Sequence, residues 1–144
     1  ILVLMMNNLY YSLLSDAFTI YLTLSGILIS LLTLLYSFII GKRSELELCA
    51  ETLKTGNNDP LIKKKQGNLI QQIKKLVSIN NSVFIVLILS LIACVVSWVS
   101  IRFIPDYCYF GALFLIGAIS LIIISMTINM GRKLYINYKN DIKI

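Results

Sequence analysis

Small and hydroxyl-bearing residues recur along one face of the first apolar segment of the chain. They are spaced by three or four residues, the spacing that places side chains on one face of an α-helix. The pattern runs between Asn8 and Gly41, and we call its inner members the polar stripe: Ser12, Ser15, Thr19, Thr23, Gly26, Ser30, Thr33 and Ser37. Two interpretations stay open. Small residues allow membrane helices to pack closely and to hydrogen-bond, and hydroxyl groups in a ring of copies can line a water-filled pore.

A second set of polar residues has the chemistry to bind anions. A helix predicted over residues 61–79 has an apolar side and an opposite basic side, which we call the basic face: Lys63, Lys64, Lys65, Gln71, Lys74 and Lys75. Such a face attracts anionic lipid headgroups, and the alternative is a site for an anionic ligand or a protein partner. Residues 41–82 include no aromatic side chain that could stack on bases. We therefore do not expect sequence-specific binding of nucleic acid.

The sequence lacks the residue patterns of catalysis and metal binding. It contains no His, and its three cysteines, Cys49, Cys94 and Cys108, do not have the spacing of metal ligands. The carboxylates are scattered, and neither a nucleophile elbow nor a phosphate-binding loop is present. We expect a protein that is not an enzyme and that needs no cofactor or metal.

The elements that carry these residues are apolar segments long enough to cross a membrane. The chain has 144 residues, of which 58% are hydrophobic and only 14% are charged, whereas a soluble domain carries about 25% charged residues. Three blocks contain no charged residue, at 17–40, 83–101 and 109–130. A helix of about 20 apolar residues spans the hydrocarbon core. The sequence therefore predicts an all-α integral membrane protein with three transmembrane helices, in contact with the lipid bilayer.

Basic residues predict how these helices are oriented. Residues 42–82 carry eight Lys or Arg and residues 131–144 carry four, while the turn at 102–108 carries one and the segment before residue 17 carries none. Because Lys and Arg are enriched on the cytoplasmic side of membranes, we predict an N-terminus outside and a C-terminus inside. Trp98 and Tyr107 fall near predicted ends of the spans, where Trp and Tyr are enriched.

The charge pattern divides the chain into four parts. We predict a long first transmembrane helix with an outer extension at 1–41, a basic cytoplasmic loop at 42–82, a transmembrane hairpin at 83–130 and a cytoplasmic tail at 131–144. The loop is expected to form two helices, at 44–53 and 61–79. Between them, Asp59 is a favourable N-cap and Pro60 a favourable first helical residue.

Small residues also form faces on the second and third blocks, where we expect contacts with other helices of the same chain or of other copies. These residues are Ser90, Ala93, Ser97 and Ser100 on the second block, and Gly111, Ala118, Ser125 and Asn129 on the third. Asp16 is the acid next to the start of the first block. It is interpreted either as a solvated carboxylate at the interface or as part of an entrance for cations.

Three functions agree with these features. Our first hypothesis is a small homo-oligomeric channel or pore-type effector, gated at the basic face by an anionic cytoplasmic ligand or a protein partner. The alternatives are a non-catalytic accessory subunit of a larger membrane complex, and an immunity protein against a membrane toxin. The layout of a few spans with a basic cytoplasmic helix is similar to that of small bacterial membrane effectors in phage defence. The abundance of Ile, Leu, Asn and Lys is typical of AT-rich genomes, so we expect a bacterial inner membrane or, alternatively, an organelle membrane.

Overall fold

Three long α-helices and one short 3₁₀ turn make up the fold. The computed structural model describes residues 1–56 and 59–142, and in these ranges the order is α1 (Leu2–Lys54), α2 (Pro60–Phe103), the 3₁₀ turn (Asp106–Cys108) and α3 (Tyr109–Ile142), without any strand. Each α-helix is long and apolar enough to cross a membrane. The predicted all-α class and the number of apolar helices are confirmed, and they fit a multi-pass membrane protein.

The helices extend beyond the apolar blocks. A separate helix was predicted at 44–53, but α1 continues without a break to Lys54. The sole helix-weakening residue between the first block and residue 44 is Gly41, and one glycine costs a helix only about 1 kcal/mol relative to alanine. The helix predicted at 61–79 is likewise one helix with the second block, α2. The predicted two-helix loop therefore consists of the continuations of α1 and α2.

The break between α1 and α2 lies where the sequence predicted it. Gly56 has a φ angle of 93°, in the left-handed region that ends helices and that glycine adopts without a Cβ clash. Asp59 acts as the predicted N-cap, because its carboxylate accepts a hydrogen bond from the backbone N–H of Leu61 at 2.9 Å. Residues 57 and 58 of the predicted break, and Lys143 of the predicted tail, lie outside the described residues.

The chain divides into two compact units, the first formed by Ile1–Ile29 with Ile85–Ile144 and the second by Ser30–Phe84. In the first unit, α1 is hydrogen-bonded to α2 through Ser25 and Ser90 and to α3 through Tyr21 and Ser120. The buried side chains of each helix lie on one face, at helical spacing. They include Leu14, Tyr21, Ser25 and Leu28 on α1, Ser90, Ala93, Ser97 and Ser100 on α2, and Tyr109, Ala112, Ile116, Ile119 and Ile123 on α3.

The second unit contains the end of α1 and the beginning of α2. Ile39 and Cys49 of α1 and Leu69 and Val83 of α2 are buried in it. The lysines on α2 in this unit are solvent-exposed or half-buried. The second unit is thus a pair of helical segments with an apolar contact and a charged exterior.

Candidate functional site

In the first unit, the members of the polar stripe lie on a face of α1 that points away from the core. Of its members in that unit, Ser12, Thr19, Thr23 and Gly26 are exposed and Ser15 is half-buried. A Cβ atom added to Gly26 would meet no heavy atom within 4 Å. The first unit therefore does not use this face of α1 for close packing between its own helices.

Three stripe members belong to the second unit. Ser30, Thr33 and Ser37 are all exposed there. The unit buries α1 through other positions, Ile39 and Cys49. In both units, then, the stripe residues lie outside the buried contacts of α1.

Hydroxyl groups of the stripe donate to carbonyl oxygens one turn earlier in the same helix. Thr19 Oγ1 donates to the Ser15 carbonyl at 3.1 Å, Thr23 Oγ1 to the Thr19 carbonyl at 2.9 Å, and Ser37 Oγ to the Thr33 carbonyl at 3.0 Å. These bonds satisfy the hydroxyl donors inside the helix. The oxygen lone pairs remain available as acceptors. The stripe is therefore a weakly polar surface that tolerates a neighbouring helix, lipid or water.

A different group of hydroxyls joins α1 to α2 inside the first unit. The Ser25 and Ser90 hydroxyls are hydrogen-bonded to each other, and both residues are buried. Ser25 Oγ also donates to the Tyr21 carbonyl at 2.7 Å, and Ser90 Oγ lies 3.3 Å from that same carbonyl oxygen. The inward face of α1 is thereby fixed at Tyr21 and Ser25, so the stripe is directed elsewhere.

The small faces predicted on the second and third blocks have different positions in the structure. On α2, Ser90, Ala93 and Ser97 have no exposed surface and Ser100 has 1%, so this face packs within the chain, which is one of the two contacts that the sequence left open. On α3, the predicted residues Gly111, Ala118, Ser125 and Asn129 are all exposed. The core side of α3 is instead formed by bulkier residues such as Ile116 and Ile119. The sequence left open whether the small residues of α3 contact helices of the same chain or of other copies. Their exposure shows that they do not form the buried contact within the chain.

The basic face of α2 lies in the second unit and is open to its surroundings. Lys63, Lys64, Lys65, Gln71 and Lys74 are exposed, and Lys75 is half-buried. Of the apolar residues predicted on the opposite side, Leu69 is buried, whereas Ile70 is exposed. The structure thus keeps the basic residues on the surface of α2, where they can meet anions.

A cavity of about 260 Å³ in the second unit lies beside this face, lined by Glu45, Leu48, Cys49 and Thr52 of α1 and by Ile62 and Lys65 of α2. Glu45 forms an ion pair with Lys42 at 3.2 Å. The cavity lining thus holds one carboxylate, that of Glu45, and one ammonium group, that of Lys65.

Two residues with a clear structural role were absent from the predicted sites. The hydroxyls of Tyr21 on α1 and Ser120 on α3 are hydrogen-bonded to each other, and Tyr21 is 8% exposed. The signal in the sequence was a tyrosine in the middle of an aliphatic block, because a buried tyrosine hydroxyl needs a hydrogen-bond partner. The sequence could not identify that partner, because Ser120 is 99 residues away.

The chemistry of the remaining side chains is limited. In the part of the chain that the structure describes, no group of three or more His, Cys, Asp or Glu residues is placed to hold a metal ion. Cys49, Cys94 and Cys108 are thiols without a disulfide. Comparisons of the chain with protein-family models, with curated proteins and with solved structures give no match.

Proposed function

We propose that the protein is a small membrane channel or pore that works as a homo-oligomer, with copies meeting along the polar stripe of α1. One observation carries the proposal: the stripe stays exposed on a helix whose inward face is already occupied by Leu14, Tyr21, Ser25 and Leu28. A helix that served only as an anchor would expose apolar residues to lipid around its whole outer side. A long outward face of serine, threonine and glycine therefore indicates a partner helix or water.

An assembly of several copies of the chain would supply both a partner helix and enclosed water. Small residues let helix backbones approach each other closely in a membrane, and Gly26 has open space around its Cα in the single chain. A ring of copies would also enclose hydroxyl oxygens along its axis. Because no charged residue lies between 17 and 40, such a lining would be neutral and would discriminate weakly between ions.

We further propose the orientation in which the basic residues lie in the cytoplasm. This places residues 42–82 and the end of α3 inside, and it follows the enrichment of Lys and Arg on that side of membranes. The basic face would then meet anionic lipid headgroups or a soluble anionic ligand. A ligand there would act on α1 and α2, which continue from the second unit into the apolar blocks.

The alternative is an accessory subunit of a larger membrane complex. It is favoured by the hydrogen bonds from Thr19, Thr23 and Ser37 to their own helix, because hydroxyls satisfied in this way can face a protein helix without any water. In that case the partner of the stripe is a different protein, and the purified chain by itself conducts no ions.

Ion flux into liposomes tests the channel proposal directly. The purified chain is reconstituted, and potassium flux is measured with and without nucleotide on either side. Wild type is expected to conduct above the background of the lipid alone.

The double variant Thr19→Leu with Thr23→Leu is expected to abolish that flux, because two lining hydroxyls become apolar. Thr127→Leu on α3 is the matched control, since this threonine is also exposed and its hydroxyl also donates to its own helix, at 2.8 Å. An absence of flux under every condition, or an equal loss in the control, argues against a channel.

The contact between copies is tested by a pair of glycine variants. A Cβ atom at Gly26 on α1 or at Gly117 on α3 would meet nothing within 4 Å, and both glycines are exposed, so we expect leucine at either position to preserve the fold of one chain. We expect Gly26→Leu to abolish self-association in detergent and in lipid, and Gly117→Leu to preserve it. The size of the assembly is read by light scattering and by crosslinking. Loss of association with Gly117→Leu alone would assign the contact to α3 and refute the stripe as the interface.

A further inference from the structure

Asp16 is the sole charged residue in the first 41 positions of the chain. The uncharged segments on its two sides, residues 1–15 and 17–41, belong to α1, which runs without a break from Leu2 to Lys54. The sequence left open whether its carboxylate is solvated at the interface or belongs to an entrance for cations. The contacts of α1 with its neighbours in the first unit give the level of Asp16 among the helices.

The contact with α3 places Asp16 within the span and not at its end. Successive spans alternate in direction, so α3 runs parallel to α1. The hydroxyls of Tyr21 and Ser120 are hydrogen-bonded to each other, so Asp16, five positions before Tyr21, is level with position 115 of α3. The charge-free block of α3 begins at residue 109. Asp16 therefore lies about 9 Å inside the beginning of this block, at 1.5 Å per residue.

The contact with α2 gives a similar level from the opposite direction. The Cys94 thiol lies 4.0 Å from the Phe18 carbonyl oxygen, and α2 runs antiparallel to α1. Asp16, two positions before Phe18, is thus level with position 96, whereas the charge-free block of α2 continues to residue 101, about 7.5 Å further along the helix. Since one leaflet contributes about 15 Å to a hydrocarbon core of about 30 Å, Asp16 lies roughly halfway through a leaflet.

The single chain does not neutralise this carboxylate. Acidic side chains within a membrane are costly, and they face a partner, a water-filled cavity or the path of an ion. The Asp16 side chain is exposed, and among the described residues no hydrogen bond or ion pair involves its carboxylate. Arg102, the basic residue in the last turn of α2, is therefore not paired with it. The carboxylate needs a partner or water from outside the chain.

Asp16 lies at the edge of the polar stripe. It is separated from Ser12, Thr19 and Thr23 by four, three and seven residues, so the four side chains form one line along α1. All four are exposed. On its other side, Asp16 borders the groove between α1 and α3. If copies meet along the stripe, the carboxylate adjoins the same lumen as the hydroxyls of Thr19 and Thr23.

We propose that Asp16 selects cations in this pore, with the carboxylates of several copies forming a site for a hydrated monovalent cation. The inference rests on the proposed channel function. Rings of acidic side chains select cations in channels. Since residues 17–40 contain no charge, the hydroxyl lining discriminates weakly by itself, and the preference for cations has one source. Water and cations in the lumen also make the carboxylate tolerable at this depth.

Reversal potentials in planar bilayers test the proposal. The purified chain is reconstituted between unequal concentrations of potassium chloride, and the ratio of potassium to chloride permeability is measured. Asp16→Asn removes the charge and keeps the size of the side chain, whereas Asp16→Glu keeps the charge. Glu47→Gln is the matched control, because Glu47 is an exposed carboxylate of the same helix that lies outside the charge-free block.

We expect wild type, Asp16→Glu and Glu47→Gln to prefer potassium over chloride by about fivefold, the upper range for one exposed charge contact. Asp16→Asn should conduct without that preference. An unchanged preference in Asp16→Asn, or an equal loss in Glu47→Gln, would overturn the role of Asp16 and leave the channel standing. An absence of conductance in wild type would instead refute the channel, and this role with it.

The size of the assembly, measured by light scattering on the same variants, separates selection of ions from a structural role. We expect Asp16→Asn to assemble like wild type. If Asp16→Asn dissociates the assembly, the carboxylate holds the copies together, and its assignment as the cation-selecting residue is wrong.

Discussion

Ser90→Ala is expected to weaken the contact between α1 and α2. Ser90 has no exposed surface, and its hydroxyl is hydrogen-bonded to the Ser25 hydroxyl and lies 3.3 Å from the Tyr21 carbonyl oxygen. A hydroxyl has one proton, and Ser25 already donates its own proton to the Tyr21 carbonyl. The substitution therefore removes one hydrogen bond between helices and leaves no buried donor without an acceptor.

The magnitude follows from this single lost bond. Hydrogen bonds between transmembrane helices contribute about 0.6 kcal/mol on average and at most about 1.7 kcal/mol. We expect Ser90→Ala to lower the free energy of unfolding by an amount in this range. Ser90→Leu should cost more, about 1–3 kcal/mol, because a fully buried position has no room for three additional carbon atoms.

Ser97→Ala is the matched control for this series. Ser97 lies on the same helix and is equally buried, but its hydroxyl donates to the Ala93 carbonyl of its own helix at 2.8 Å. Alanine has a slightly higher helix propensity than serine, so the control should be neutral or slightly stabilising. Unfolding is followed by circular dichroism in mixed micelles with increasing denaturing detergent.

A double-mutant cycle of Ser25→Ala and Ser90→Ala isolates the pair, since residues that share a bond show a coupling energy. A coupling energy of zero, or a larger loss in Ser97→Ala than in Ser90→Ala, would refute the assigned inward face of α1. The outward direction of the polar stripe would then lose its support as well. The inward face and the stripe are both assigned from the same rotation of α1 about its axis.

Three further variants test the second unit. Asp59→Ala should lower the free energy of unfolding by about 1 kcal/mol, because the N-cap of α2 is lost. Gly56→Ala should lower it by about 1–2 kcal/mol, because φ is 93° at this position. Both variants are measured in the same detergent titration, and an unchanged midpoint would contradict the cap that the variant removes. Lys63→Glu with Lys64→Glu changes two exposed charges. It should reduce the amount of phosphatidylglycerol that stays bound to the chain after extraction in mild detergent, measured by mass spectrometry. An unchanged amount would exclude the basic face as the lipid contact.

The sequence predicted the class and the helix-forming segments well because these depend on local properties. Length and lack of charge are sufficient to identify helices that can cross a membrane, and the three blocks all fall inside the observed helices. Asp59 and Pro60 predicted the start of α2 because capping depends on neighbouring residues. The C-terminal end of α1 was predicted less well, since a charged surface does not end a helix and Gly41 is too weak a break to do so.

The faces along which the helices pack were harder to predict, because lipid is as apolar as the interior between the packed helices. In water, the buried face of a helix is recognised by its apolar residues, whereas a membrane helix lacks this contrast. Small residues served as the substitute signal. They were a correct guide on α2, where Ser90 and Ser97 are buried, and they did not mark the core side of α3, where Ile116 and Ile119 are buried. Tyr21 and Ser25 were missed on α1 because their partners come from distant parts of the chain.

The hydroxyls of α1 show how one residue type can serve two stages of assembly. Ser25 donates to its own helix and also meets Ser90 of α2, so it contributes to the folding of a single chain. Thr19 and Thr23 donate to their own helix on the exposed side, so they impose little cost while that side still faces lipid. Membrane helices insert and fold before they associate. A stripe with satisfied donors permits this order, since the single chain is stable in lipid and the copies can meet afterwards. Removing one such hydroxyl should therefore leave the folded monomer unchanged and affect only the later association.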